Sequence, residues 1–503
     1  MMQFTERELL DVTGGAPVGT TADAGEIRMA TSVSTDTRTV LKGALFVALK
    51  GERFDGHAFL AAALEKGASL VLISDLKALP AGASGILVPD TLIALHAIAR
   101  AYRRKLGCKV VAVTGSVGKT STREMLCAIL SGSFRTHATK HNLNNDIGLP
   151  MTILTAPSDT ELLIVEMGMR MRGEISTLTK IAEPDIAVIT NIGVSHIERL
   201  GSREEILRAK MEICEGLTGD RYLLINGEDD YLPGFISGTD EKKWDLLGVT
   251  ALMSGDDPFA FADRVVTASD YTADGAGTSF FVRYRSSPGE TPVDLGTFHV
   301  GLTGIHHIKN ALFSIAAAMH LGVPADKIRE GLLSYKPVGS RGRTVYAGKI
   351  LIYDDAYNAS PESMAAAFES VRLLAAGRRK LAALGSILEL GKHAAEEHYK
   401  VGISAVKSGM DMIFACGGNA ADIKAGALSV CPDLPVRVYE DRESLTRDLL
   451  SEIRENDILL VKGSHAFEMG KVADAVMTKA AETEMTKQAD TNEGIILSGK
   501  ASL

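Results

Sequence analysis

The chain has 503 residues, 46% apolar and 23% charged, the composition of an ordinary folded protein with room for roughly three domains. Its formal net charge of −9 excludes wholesale binding of a nucleic-acid backbone, which calls for a basic surface. No apolar run approaches the roughly 20 residues of a membrane helix, and residues 1–6 lack a basic region followed by an apolar one, so a cytoplasmic protein is expected. Cys108, Cys127, Cys214, Cys416 and Cys431 have neither metal nor disulfide spacing and read as reduced thiols.

Residues 1–105 read as a compact α/β unit. A buried strand is predicted over 43–49, a helix over 59–64 and another strand over 68–73. Polar side chains stand at both ends of the first strand, Thr35-Asp36-Thr37-Arg38 ahead of it and Asp55-Gly56-His57 behind. Such a cluster serves either a ligand or the turns themselves, since Asp-Gly is a common turn dipeptide.

A second unit begins near Leu106 and is organised by one junction. The β-branched run 110–114 stops at Gly115-Ser116-Val117-Gly118-Lys119-Thr120-Ser121, and helical periodicity follows over 123–130. Glycines let backbone N–H groups converge on an anion, the helix start adds positive potential, and Lys119 supplies a point charge for the outer phosphates of a nucleotide. Thr120 would offer its hydroxyl to Mg²⁺. The loop is short: Val113 stands where the usual phosphate loop has its first glycine.

Beyond it, the loop 140–150 carries Asn142, Asn144 and Asn145, whose amides suit a polar ligand and suit turns equally. The buried strand 162–165 ends on Glu166. In an open α/β sheet this is the rim where ligands bind, which makes Glu166 a Mg²⁺-ligand candidate or a solvated strand-end carboxylate. The strand 185–190 delivers residues 191–196 to the same rim, ending on His196, which is either a metal or phosphate contact or a packed ring. Ser202 and Glu205 open a helix with a capping box, and composition alone places its Lys210 on an exposed face. Short strands and turns fill 224–303, with an antiparallel excursion near 278–284. On the alanine-rich helix 304–321, His306 and Asn310 share one face near its start, suited to a base edge, a phosphate or a cap.

A third unit starts near Arg343. Its first predicted strand, 350–353, ends in Asp354-Asp355-Ala356-Tyr357-Asn358-Ala359-Ser360-Pro361, and later strands at 381–384, 412–415 and 458–461 alternate with helices. That is βαβ repetition and a doubly wound sheet. Glu389 and Lys462-Gly463-Ser464-His465 follow two of these strands, and a mobile tail is expected from about Glu482.

The short phosphate loop, the acid after the next buried strand, a histidine, a distal lysine and a terminal α/β unit together resemble the Mur ligase family over nearly the whole chain. The most specific stretches are 35–38 with 53–57, 142–150 and 354–361. The first of these sets the chain apart from folylpolyglutamate synthetases, which share the later domains but have no uridine-nucleotide domain in front. The resemblance implies an α/β protein of three domains: an N-terminal uridine-nucleotide-binding domain (1–105), a central P-loop ATP-binding domain (106–342) and a C-terminal Rossmann-like domain (343–503).

It implies, further, that ATP is held by Gly115, Ser116, Val117, Gly118, Lys119, Thr120 and Ser121, that Asn310 reads the adenine, and that Arg343 and Asp355 reach the nucleotide from the third domain. Thr120 and Glu166 would bind one Mg²⁺, His196 and Lys210 a second, the lysine as a carbamate. Lys119, Glu166, His196 and Lys210 would form the catalytic set. Thr35, Asp36, Arg38, Asp55, Gly56 and His57 would hold the uridine end of UDP-N-acetylmuramoyl-tripeptide, and Asn144, Asn145 and Asn358 its reacting end. D-Alanyl-D-alanine would be the acceptor, and the chain a monomer.

Making an amide from a free carboxylate is uphill unless hydroxide is replaced by a better leaving group, which an acyl phosphate formed from ATP provides. Three positions depart from the family pattern: His307 and Ser360 where asparagine is usual, and His465 where arginine often stands. The rivals are a sibling ligase that adds one amino acid and an ATP-gated binding protein, which would leave the first unit and residues 354–361 without a task.

Overall fold

Strands that alternate with helices pair in parallel, because each crossover returns the chain to the same end of its sheet. Each of the three units of the computed structural model is built on such a sheet; it describes residues 2–19, 28–52, 54–240, 242–253 and 259–483. The first sheet has five strands in the order Ala16–Gly19, Ser84–Leu87, Leu70–Ile73, Ala44–Val47 and Ser32–Ser34, antiparallel only at its first pair. The strands expected at 43–49 and 68–73 form its middle.

The central sheet has nine strands. Lys109–Thr114, which leads into the phosphate loop, lies between Leu162–Glu166 and Ile186–Ile189, with Glu166 opposite Val113 and Ile189 opposite Thr114. This is where the chain reverses its direction of travel across the sheet, so the carboxyl ends of three buried strands flank one crevice. At the far border the antiparallel strands Arg264–Asp274, Gly277–Arg285 and Val293–Val300 extend the sheet, placing the expected excursion. Val293–Val300 is the edge, and Arg329 on the helix Ala325–Ser334 donates to its Leu295 and Thr297 carbonyls at 2.7 and 3.1 Å.

The third sheet runs Arg343–Ala347, Ile350–Asp354, Ile458–Lys462, Lys380–Gly385, Met412–Cys416, Val436–Tyr439. Two of its strands were not foreseen. Arg343–Ala347 precedes the expected first strand and pairs with it antiparallel, and Val436–Tyr439 is a short edge with two exposed residues and little apolar signal. Residues 470–483 are helical, taking in the first two residues of the expected tail, and the remainder of that expectation lies outside the described residues. Among the described residues no helix is long and apolar enough to cross a membrane.

Layers close by contact between backbones where side chains are absent. The helices Ala394–Lys407 and Ala420–Val430 cross at Gly402 and Gly426, where an added Cβ would collide with the Ile423 carbonyl and the Tyr399 carbonyl respectively. Backbone cannot rotate aside as a side chain can, so the helices must separate. Gly402→Ala is expected to destabilise the third unit by about 1–3 kcal/mol, read as a lowered urea midpoint by circular dichroism.

Candidate active site

A cleft of about 1310 Å³ lies where the carboxyl ends of the central and third sheets face each other. It is lined by Ser116–Ser121, Asn144, Asn145, Glu166, His196, Lys210 and Asn310 from the central unit, and by Asp355, Asn358 and the 387–390 and 462–466 regions from the third. The residues expected around the nucleotide are therefore brought together, with the exceptions of Gly115 and Arg343. That side chain pairs with Asp354 outside the lining, and Arg341 enters the cleft instead, stacked 3.7 Å over the Tyr357 ring.

The phosphate loop turns on two glycines in the left-handed range. Gly115 (φ 149°) has Thr190 where a Cβ would stand, and at Gly118 (φ 87°) a Cβ would lie 2.5 Å from Asn310 Oδ1. Lys119, at the first position of the helix Lys119–Leu130, curls back to donate to the Gly115 and Ser116 carbonyls at 2.7 and 3.2 Å. Burial pushes its pKa down, against the opposing field of Glu166. Glu166 is 2% exposed. Its Oε1 accepts from Asn144 Nδ2 at 2.8 Å, and its Oε2 from Arg123 at 3.3 Å. Asn145 has a more local task, since its Oδ1 accepts the Gly148 N–H at the start of the next helix.

Lys210 corrects the surface reading. The helix Arg203–Met211 begins as expected, with Ser202 accepting the Glu205 N–H, but it turns Lys210 inward to 2% exposure. Burial, reinforced by Lys119, drives its pKa well below the ordinary lysine value, which favours a neutral amine. The available signal was spacing: Lys210 follows buried Ile206 and Leu207 by one turn and precedes buried Ile213 by another, on the apolar side of its helix. His196 sits in a left-handed residue (φ 65°) with Nδ1 2.5 Å from Glu389 Oε2, in contact but out of line for a hydrogen bond. Burial lowers its pKa and Glu389 opposes this.

Among the described residues no three His, Cys, Asp or Glu side chains are grouped as a metal cage. The Thr120 hydroxyl, the Glu166 carboxylate and His196 still suit Mg²⁺, which commonly takes one or two protein carboxylates and completes its shell with phosphate oxygens and water.

The third unit contributes anchored polar groups. Lys462, 2% exposed, pairs with Asp355 at 2.5 Å and donates to the Asn358 carbonyl at 3.0 Å, while Asn358 Oδ1 accepts the His465 N–H at 3.3 Å. Ser360 caps the helix Pro361–Leu374. Hydrogen bonds cross from the central unit to the third beside the His196–Glu389 contact: the Val194 N–H donates to Glu362 Oε1 at 2.8 Å, and the Glu198 N–H to the Glu389 carbonyl at 3.3 Å. Arg123, Thr190, Asn191, Arg341 and Glu362 were not singled out from the sequence. Position at a strand's carboxyl end was the available signal for Thr190 and Asn191, and none existed for the others.

The polar cluster of the first unit lies outside this cleft, and turn chemistry occupies it. Asp36 accepts the Arg38 N–H and pairs with its guanidinium, and Asp55 caps the turn Gly56–Phe59. Buried His57 is held through both nitrogens, by Asp55 at 2.7 Å and the Ser74 N–H at 2.9 Å. Thr35 makes no contact with the cleft; the first unit reaches it through His96, on the helix Thr91–Leu106.

Three parallel-dominated sheets in series, with a shortened phosphate loop at the centre and a buried lysine facing it, define a nucleotide-dependent ligase architecture. Family models agree: the Mur ligase family catalytic domain matches residues 30–103, the Mur ligase middle domain 113–318, and the Mur ligase glutamate ligase domain 341–465. The chain belongs to the Mur ligase family. It is 37% identical to the UDP-N-acetylmuramoyl-tripeptide--D-alanyl-D-alanine ligase of Bacillus subtilis, over 88% of this chain and 92% of that one. It is 33% identical to the Escherichia coli enzyme of the same name, over 95% and 99%. Among solved structures, MurF from Acinetobacter baumannii superposes with a TM-score of 0.82 at 28% identity, covering 95% of this chain and 99% of that one. MurF ligase from Thermotoga maritima in complex with ADP superposes with a TM-score of 0.76 at 27% identity, covering 90% and 98%.

Two expectations follow from the geometry. Gly118→Ala forces both a strained φ and a clash with Asn310, so ADP affinity should fall at least tenfold in a calorimetric titration. His307 is buried with neither ring nitrogen bonded among the described residues, its ring 3.8 Å from that of His306, and burial with the His306 field holds its pKa well below 6.5. The unfolded chain then takes up a proton near pH 6.5 that the folded chain refuses, so stability is lost as pH falls through 6.5. His307→Asn removes that group, and its melting temperature should drop less between pH 7 and pH 5 than the wild type's.

Proposed function

We propose that this chain is an ATP- and Mg²⁺-dependent amide ligase that joins D-alanyl-D-alanine to UDP-N-acetylmuramoyl-tripeptide, the last cytoplasmic step of peptidoglycan precursor synthesis. The observation that carries the reading is the convergence of Lys119, Glu166, His196 and Lys210 on one cleft roofed by the third unit. Likeness over 88% and 95% of the chain to UDP-N-acetylmuramoyl-tripeptide--D-alanyl-D-alanine ligases supports the choice of acceptor over a single amino acid. The dependence on a sugar nucleotide and ATP supports a cytoplasmic location.

Bound ATP with Mg²⁺ supplies a phosphoryl group and charge neutralisation, which together make the tripeptide's terminal carboxylate an acyl phosphate. In this assignment Lys119 and the amides at the start of its helix hold phosphate oxygens. Glu166 and Thr120 hold one cation, with Asn144 and Arg123 fixing the carboxylate. Lys210, its pKa driven well down by burial, is suited to take up CO₂ through its amine; the resulting carbamate, with His196, would serve a second cation. Asn310 and His306, which line the same cleft, are assigned to the base of the nucleotide, and Asp355 and Asn358 to contacts with the substrates from the third unit. The amine of D-alanyl-D-alanine then attacks the acyl carbon, and phosphate leaves from a tetrahedral intermediate. Acyl phosphates hydrolyse, so the contacts of Glu362 and Glu389 with residues 194–198 have a chemical purpose: they hold the roof closed against water.

ADP and phosphate should appear only when UDP-N-acetylmuramoyl-tripeptide and D-alanyl-D-alanine are both present, with no turnover when single amino acids replace the dipeptide. A coupled ADP-release assay over that panel reads the outcome. ATP hydrolysis with neither substrate would instead indicate a nucleotide-gated binding protein. Lys119→Ala should lower kcat/KM by about 10³ or more.

A further inference from the structure

We propose that Asn191 is a positioning residue that completes the short phosphate loop, its side-chain oxygen filling the anion-binding nest that two of the loop's own N–H groups form. The Ser116 and Val117 N–H groups converge on Asn191 Oδ1 at 3.0 and 2.9 Å, and the Ser116 N–H also reaches the Asn191 carbonyl at 3.1 Å. The neighbouring residues complete the hold. Thr190 Oγ1 donates to the Val117 carbonyl at 2.5 Å, and the Gly193 N–H donates to Ser116 Oγ at 2.9 Å. Gly115 is required for this approach, because a side chain there would run into Thr190.

Successive backbone N–H groups aimed at one point are the ordinary means of binding an anion. Here that point is taken by a neutral amide oxygen supplied from the end of the adjacent parallel strand, Ile186–Ile189. The first limb of the loop is thereby shaped without a nucleotide, which compensates for the missing glycine at position 113. The donors left facing the cleft are those at the start of the helix Lys119–Leu130, together with Lys119 itself.

Asparagine meets two demands at once. Alanine would leave the Val117 N–H without its acceptor and the Ser116 N–H with the residue 191 backbone carbonyl alone, at the cost that attends an unpaired donor. Aspartate would accept both hydrogen bonds but set a negative charge against the phosphates. The proposal rests on reading residues 115–121 as the phosphate site, and not on the identity of either peptide substrate.

The test uses the full chain, with ADP binding by calorimetry, binding of UDP-N-acetylmuramoyl-tripeptide, and melting without nucleotide. Asn191→Asp should melt within about two degrees of wild type yet bind ADP about tenfold more weakly, the deficit shrinking as salt is raised. Asn191→Ala should bind ADP about fivefold more weakly, and both variants should keep their affinity for the UDP-linked tripeptide within about twofold. ADP affinity close to wild type in both variants would overturn the proposal. So would a parallel fall in melting temperature and in both affinities, which marks a merely structural asparagine. Wild-type chain that binds ADP but forms no amide would sink the ligase assignment and leave this inference standing.

Discussion

Three lysine side chains brought into one poorly solvated cleft, with few anions to balance them, set the terms for everything around them. An isolated ammonium in such surroundings is costly, so it must be paired, neutralised or offered an anionic ligand. Lys462 takes the first course with Asp355. Lys210, with which no carboxylate pairs among the described residues, is pushed toward the second by burial. Lys119 rests on the Gly115 and Ser116 carbonyls, neutral acceptors that a phosphate can readily replace. The cleft is thus a receptor for negative charge before any ligand arrives.

That receptor exists because three buried strands end at one level. The register that sets Glu166 opposite Val113 and Ile189 opposite Thr114 places the carboxylate, the phosphate loop and the Thr190–Glu198 segment side by side. The same segment then meets the third unit through Glu362 and Glu389. Residues 190–198 consequently touch the phosphate loop on one side and the roof on the other, a short path between nucleotide binding and closure.

Much of this was legible in the sequence, for physical reasons. Buried parallel strands are continuous apolar runs, and the loop at 115–121 interrupts one with glycines and a lysine, so strand, turn and charge could be read together. Glu166 and His196 follow from position at strand ends. Lys210 does not: a lysine is ordinarily solvated, and only its spacing from Ile206, Leu207 and Ile213 marks the apolar side of its helix. Arg341 and Arg343 lie two apart in a glycine-rich turn, and which of them faces the cleft depends on the antiparallel strand Arg343–Ala347, whose mixed burial weakens its pattern. The cluster at 35–57 shows the opposite ambiguity, because capping residues and ligand-binding residues are drawn from the same few types.

The border of the nine-stranded sheet carries one more consequence. An outermost strand ordinarily offers a row of free carbonyls on which a foreign strand can align, the usual start of unwanted association. Along Val293–Val300 the Arg329 guanidinium already occupies two of those acceptors. A positively charged plug at the margin makes lateral accretion by another polypeptide unfavourable, so the long sheet is terminated by chemistry and need not be shielded by a partner.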